Sequence, residues 1–189
     1  MVFSFKRILV PYDGSKPSEN ALQQAAQLSN LIVSNGNNDN NASHKQKIQI
    51  ILLHVVEQVH IRIPSLYLSL RLVAGKPMKE FYEELYEEMK NEASKMLDDI
   101  KKVIELSMAV NNNGNTKVSS SSARSITVIR QVIIGNPAEV IIDIANNKEK
   151  IDLVVMGSTG LKGIYKIRVL GSVSRQVCEN ANCPVMLVH

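Results

Sequence analysis

The sequence predicts an α/β sandwich: a mostly parallel sheet with helices on both faces and right-handed crossovers. Short apolar runs recur at 6–11, 47–56, 126–134, 151–156 and 184–188. Amphipathic helical patterns stand between most of them, and turn-forming Gly, Pro and Asn follow the runs. At 189 residues the chain reads as one domain, 1–189, long enough to bury most of the surface its unfolded form exposes.

The elements follow in order. Residues 6–11 (KRILVP) form a short apolar run bounded by charge and proline, the pattern of a buried strand. YDGS is the loop after it, where Ser15 or Ser18 can cap a helix with Pro17 in its first turn and Ala21, Leu22, Ala25 and Leu28 as its apolar stripe. Residues 34–45 (SNGNNDNNASHK) carry almost no apolar side chain and cannot repay their ordering entropy by burial, so they read as a polar, disordered insertion. Residues 47–56 (KIQIILLHVV) are too uniformly apolar for a half-exposed strand. Residues 57–79, with Pro64 and Pro77, give no clear periodicity and suit a lid or a partner surface.

From Glu80 a long helix is predicted, with Leu85, Met89, Ala93, Met96, Ile100 and Val103 as a core stripe. A second polar insertion lies near 107–125, densest at 111–125 (NNNGNTKVSSSSARS). After the third strand, Asn136 as N-cap, Pro137 at the first helical position and Glu139 at the third mark a helix start, with Val140, Ile141 and Ile144 facing inward.

Composition narrows the function classes. No apolar run approaches the roughly 20 residues that span a bilayer, and the N-terminal residues lack a signal-peptide pattern, so a cytoplasmic location is the default. A net charge of +4 and 4% aromatic residues argue against a nucleic-acid surface, although Lys162, Lys166 and Arg168 form a small basic cluster. Cys178 and Cys183 stand without the histidines or further cysteines of a metal site or disulfide framework and read as plain buried thiols.

Chemistry concentrates in residues 151–174, where an apolar run stops at Gly157 and glycines recur at Gly160 and Gly171 before Ser172, Val173 and Ser174 open a helical pattern. Backbone N–H groups can hold a phosphate where glycine lets the main chain approach, and a helix N-terminus adds its dipole. Ser172 and Ser174 supply further hydroxyl donors. The same glycines would also serve as a strand end and turns, with Ser172 as an N-cap. In a parallel sheet, ligands sit beyond the carboxyl ends of strands where the strand order reverses. If the first and fourth strands flank that point, Pro11, Tyr12 and Asp13 face Met156, Gly157 and Gly160 across one crevice. No Walker motif is present and no two glycines stand as G-x-G, which excludes a P-loop and a dinucleotide fingerprint.

VPYDGS, LLHVV, VVMGSTGLKGI, LGSVS and CPVMLV together resemble the universal stress protein family, in its ATP-binding branch, over nearly the whole chain outside the two polar tracts. The resemblance implies a Rossmann-like three-layer sandwich with a five-stranded parallel sheet of order 3-2-1-4-5, a homodimer, and ATP as ligand. Gly157, Gly160 and Gly171-Ser172 match the family's glycine signature, so phosphate and ribose contacts carry over to them and to Val173 and Ser174. Asp13 matches the adenine-site acid, and Val55 the adenine-packing position, with Pro11 and Met156 beside them. The sequence departs in one place: residues 161–170 number ten, one more than the family spacing. An outward bulge accommodates the extra residue because loop insertions cost little when their ends stay fixed.

The expected function is an ATP-binding stress-response regulator whose nucleotide, with Mg²⁺ or Mn²⁺, biases a conformation read by a protein partner. No constellation of base and cation supports more than slow ATP hydrolysis, and no residue is assigned as catalytic or as a metal ligand. The alternative is a structural or chaperone-like dimer with a vestigial phosphate loop. The last strand, left as a sheet edge, is the expected dimer contact.

Overall fold

The computed structural model describes residues 5–36, 47–57, 78–110, 126–148, 150–160 and 170–189. In chain order these form β1 (Arg7–Pro11), α1 (Lys16–Gly36), β2 (Ile48–Glu57), α2 (Met78–Val110), β3 (Ile126–Gly135), α3 (Pro137–Asp143) with a π-helical extension (Ile144–Lys148), β4 (Leu153–Gly157), α4 (Ser172–Asn180) and β5 (Val185–Val188). All strand pairs are parallel, and the sheet order is β3-β2-β1-β4-β5.

Side-chain alternation along the strands feeds two separate cores. Ile8 and Val10 of β1, Ile50 and Leu52 of β2, and Leu153 and Val155 of β4 face α1 and α2, where they pack with Leu22, Ala25 and Leu97. Leu9, Ile51, Leu53, Val154 and Met156 face the other way, onto Ile141 and Ile144 of the α3 region and Val177 of α4. Both faces are therefore covered, which explains the continuous apolar runs of the central strands. Each fully buried aliphatic side chain contributes roughly 1.5–3 kcal/mol. At the opposite end from the loops, Asp152 staples the two central strands: its Oδ2 accepts from the N–H groups of Lys6 at 2.7 Å and Arg7 at 2.8 Å.

The capping chemistry follows the sequence. Ser15 caps α1, with its Oγ accepting from the N–H of Ser18 at 3.3 Å, and Asn136 caps α3 by accepting from the N–H groups of Ala138 and Glu139.

Three expectations need correction. Helix α1 runs through Gly36 and α2 through Val110, so residues 34–36 and 107–110 belong to helices rather than to the polar insertions. Helical propagation adds one hydrogen bond for each residue fixed, which extends a helix beyond its apolar stripe. In α2, Val103 is 64% exposed, while Leu97 and Ile104 are buried. At 100° per residue, Ile104 lies about 20° from Ala93 around the axis and Val103 about 80° away, so only Ile104 stays on the inward face. Cys178 is exposed and Cys183 half-buried, both free. Val177 and Ser174 take the buried face of the short α4, which turns the neighbouring Cys178 outward.

The remaining residues of 34–45 and 107–125, the 58–77 part of the expected lid, and Lys162, Lys166 and Arg168 lie outside the described residues.

Candidate functional site

β1 and β4 are neighbours although β2 follows β1 on its other side, so the strand order reverses between them. Beyond their carboxyl ends lies a cleft of about 530 Å³. All ten expected site residues line it: Pro11, Asp13, Val55, Met156, Gly157, Gly160, Gly171, Ser172, Val173 and Ser174.

The first lip is the β1–α1 loop. Tyr12 continues the β ladder, its N–H donating to Leu53 O at 2.8 Å, while its carbonyl accepts from His54 Nδ1, also at 2.8 Å. A carbonyl can only accept, so His54 carries a proton on Nδ1. Burial first, then the carboxylates of Glu19 and Asp13, push the Tyr12 phenol above its usual range, so it stays neutral. Asp13 is oriented by its own turn: Oδ1 accepts from Ser15 N at 3.0 Å and from Ser15 Oγ. Gly14, at φ +82°, makes the left-handed bend that this turn requires.

The second lip is the end of β4. A side chain at Gly160 would place its Cβ 2.7 Å from Asp13 Oδ2, so the two lips touch only because residue 160 is glycine. Gly157 answers to a different neighbour, since a Cβ there would fall within 3.0 Å of the main chain of Pro17 and Ser18. Its glycine lets α1 pack on the strand end, a need that exists without any ligand.

The floor is the N-terminus of α4. Gly171 is its N-cap and offers no side chain, so the first-turn N–H groups of Ser172, Val173 and Ser174 have no side-chain cap. Gly171 N donates to Ser158 O at 2.9 Å, which holds this turn beside β4 despite the ten-residue spacing. Ser174 needs a correction: its hydroxyl is buried and donates to Ser158 O at 2.7 Å, so it is not a spare donor. Ser172 is exposed, at the first helical position rather than the N-cap.

A third wall escaped sequence reasoning. Asn136, Pro137, Ala138 and Ile141 bring the start of α3 into the cleft. The Asn-Pro helix start was visible, and its position at the carboxyl end of β3 is the signal that could have placed it there. Val55, Ile141 and Met156 make this side apolar, while the α4 side offers backbone donors. The titratable side chains among the described lining residues are Tyr12 and Asp13 from the loop after β1 and His54 and Glu57 from β2. The arrangement therefore suits an elongated ligand with an anionic end at α4 and a flat apolar end near Val55.

A doubly covered parallel sheet with an uncapped helix start and a cleft at its switch point defines an open, doubly wound α/β protein. The Universal stress protein family profile matches residues 4–189, and the chain belongs to that family. It is 30% identical over 190 residues to universal stress protein MJ0577 of Methanocaldococcus jannaschii, covering 100% of this chain and 97% of that protein. The solved structure of MJ0577 aligns with a TM-score of 0.66 at 26% identity, over 98% of this chain and 96% of that one. A universal stress protein solved in complex with cAMP shares the fold at 18% identity, with a TM-score of 0.53 and 98% coverage of each chain. Among the described residues no helix is long and apolar enough to cross a membrane.

Proposed function

We propose that this chain is an ATP-binding regulatory protein of the stress response, in which the triphosphate sits on the N-terminus of α4 and the adenosine end lies between Asp13 and Val55. The observation that carries this reading is the uncapped first turn of α4, fastened beside Gly157 and Gly160 and facing Asp13 across the switch point. A universal stress protein of the same fold has been solved in complex with cAMP, which supports a nucleotide as the class of ligand. The extra residue between Gly160 and Gly171 lends no support to a vestigial loop, because Gly171 keeps its bond to Ser158.

Among the described residues no group of three or more His, Cys, Asp or Glu side chains could hold a metal ion. In this reading the Mg²⁺ or Mn²⁺ travels on the phosphates, as Mg²⁺ commonly does. Among the described residues no titratable lining side chain comes from the α4 side, where a water would be activated, which supports slow hydrolysis with the bound nucleotide itself as the signal. The function requires a protein partner that reads the nucleotide state.

Calorimetric titration of nucleotide-free protein with ATP, AMP and Mg²⁺ tests the reading, and absence of binding heat for every nucleotide refutes it. The same reading includes a cytoplasmic homodimer paired through β5, which among the described residues has only β4 beside it and leaves Met186 39% exposed. Sedimentation as a monomer at micromolar concentration would refute that assembly.

A further inference from the structure

The start of α4 is fastened to a single buried residue at the end of β4. Ser158, 1% exposed, accepts at its carbonyl from Gly171 N at 2.9 Å and from Ser174 Oγ at 2.7 Å. Its N–H donates to Val188 O at 2.8 Å, and its Oγ shares a 2.7 Å hydrogen bond with His189 Nδ1. Ser158 is thus tied to β5 on one side and to the start of α4 on the other.

Ser174 is 2% exposed, and its hydroxyl also lies 3.0 Å from Gly171 O. A serine hydroxyl has one proton. Here that proton is directed at main-chain oxygens, one of them 16 residues back in the chain. An ordinary helix serine bonds backwards within its own turn. This one reaches out of the helix to the strand end that forms the opposite lip.

We propose that Ser174 is a positioning residue, a latch whose anchor is the Ser158 carbonyl. It holds Gly171 and the first turn of α4 at a fixed height beside Gly157 and Gly160, and contributes no side-chain bond to the phosphates. The position of the anion seat is then set by this contact and by the Gly171 N–H bond, rather than by the number of residues between Gly160 and Gly171. The start of α4 is held beside β4 in this chain although the sequence between the two glycines is one residue longer than the family's spacing. The ligand in this inference rests on the ATP reading; the latch itself does not.

Two measurements on the full chain separate latch from ligand. The first is amide hydrogen exchange at Gly171 in nucleotide-free protein. Ser174→Ala should speed exchange there by roughly threefold to tenfold, the worth of one net hydrogen bond. Ser174→Thr, which keeps the hydroxyl, should restore slow exchange. Ser158→Ala, which keeps the carbonyl, should leave it within about twofold of the wild type.

The second is binding. Ser174→Ala should weaken ATP and inorganic tripolyphosphate by roughly threefold to tenfold and leave adenosine within about twofold. Unchanged Gly171 exchange with weakened ATP binding would make the hydroxyl a direct ligand donor and overturn the latch. Equal losses for adenosine and tripolyphosphate would make Ser174 general fold support and overturn it as well. If the wild type binds neither ATP nor tripolyphosphate, the ATP reading falls, and the exchange measurement still decides the latch.

Discussion

Glycine does two different jobs within four residues of β4, and substitutions should separate them. At Gly160 the obstacle to a side chain is the tip of Asp13, which can swing away. Gly160→Ala should therefore cost little stability, under about 1 kcal/mol, while displacing the carboxylate and weakening ATP in calorimetry. At Gly157 the obstacle is the main chain of Pro17 and Ser18, which cannot yield without moving α1. Gly157→Ala should lower unfolding free energy by about 1–3 kcal/mol in urea titration, whatever its effect on ligand. Equal stability losses for the two variants would contradict this division. The thiols are a second residue-scale case. Partial desolvation first, then Glu179, push the Cys178 thiol up; desolvation again dominates at Cys183, with Asp152 adding to it. A raised pKa means less thiolate at any given pH, so at pH 8 both should react with a thiol reagent more slowly than free cysteine, although Cys178 is exposed. Labelling of Cys178 at the rate of free cysteine would refute this.

Helices show how far a pattern can be read without neighbours. In α2, Leu97 is fully buried against the sheet and Val103 faces out. Leu97→Ala should cost about 2–5 kcal/mol by thermal or urea unfolding, and Val103→Ala no more than about 0.5 kcal/mol. Comparable losses would mean that Val103 has a covering surface. The strands were legible because sheet burial on both faces leaves continuous apolar runs, and the α3 start because Asn136 and Pro137 act locally. The glycine stretch and Asp13 were legible as opposite sides of one crevice through the switch-point rule. The Asp152 staple, the His54 bond to Tyr12 and the Ser158 anchor were not. They join residues from 16 to 146 positions apart, and contacts outside one helix or strand leave no periodic trace in the chain. The stripe assignment at Val103 failed for a related reason: steps of three or four admit two adjacent faces, and only the packed partner selects one. Ser174 read as a donor because a hydroxyl in a motif carries no sign of being already engaged.

At the scale of the whole molecule, the cleft joins three walls from distant parts of the chain, so a ligand that fills it should stabilise the fold as a unit. At ATP concentrations about 100 times Kd, linkage gives about 2.7 kcal/mol. For a chain of this size that raises Tm by about 5–10 °C, measurable by scanning calorimetry with and without Mg²⁺-ATP. Inorganic tripolyphosphate alone should give a smaller shift. No shift with either would count against the cleft as a nucleotide site.

The bond from Lys6 N–H to Asp152 joins residues 146 positions apart, and β1 acquires its second neighbour only through β4. During synthesis, β1 therefore waits as an exposed sheet edge until most of the chain has left the ribosome. The cleft's two lips, the β1–α1 loop and the end of β4, meet only when β4 pairs with β1, so the nucleotide proposed for the cleft has no seat before that pairing forms. Long-range parallel closure of this kind is slow, so the cleft should be among the last features to form as the chain folds.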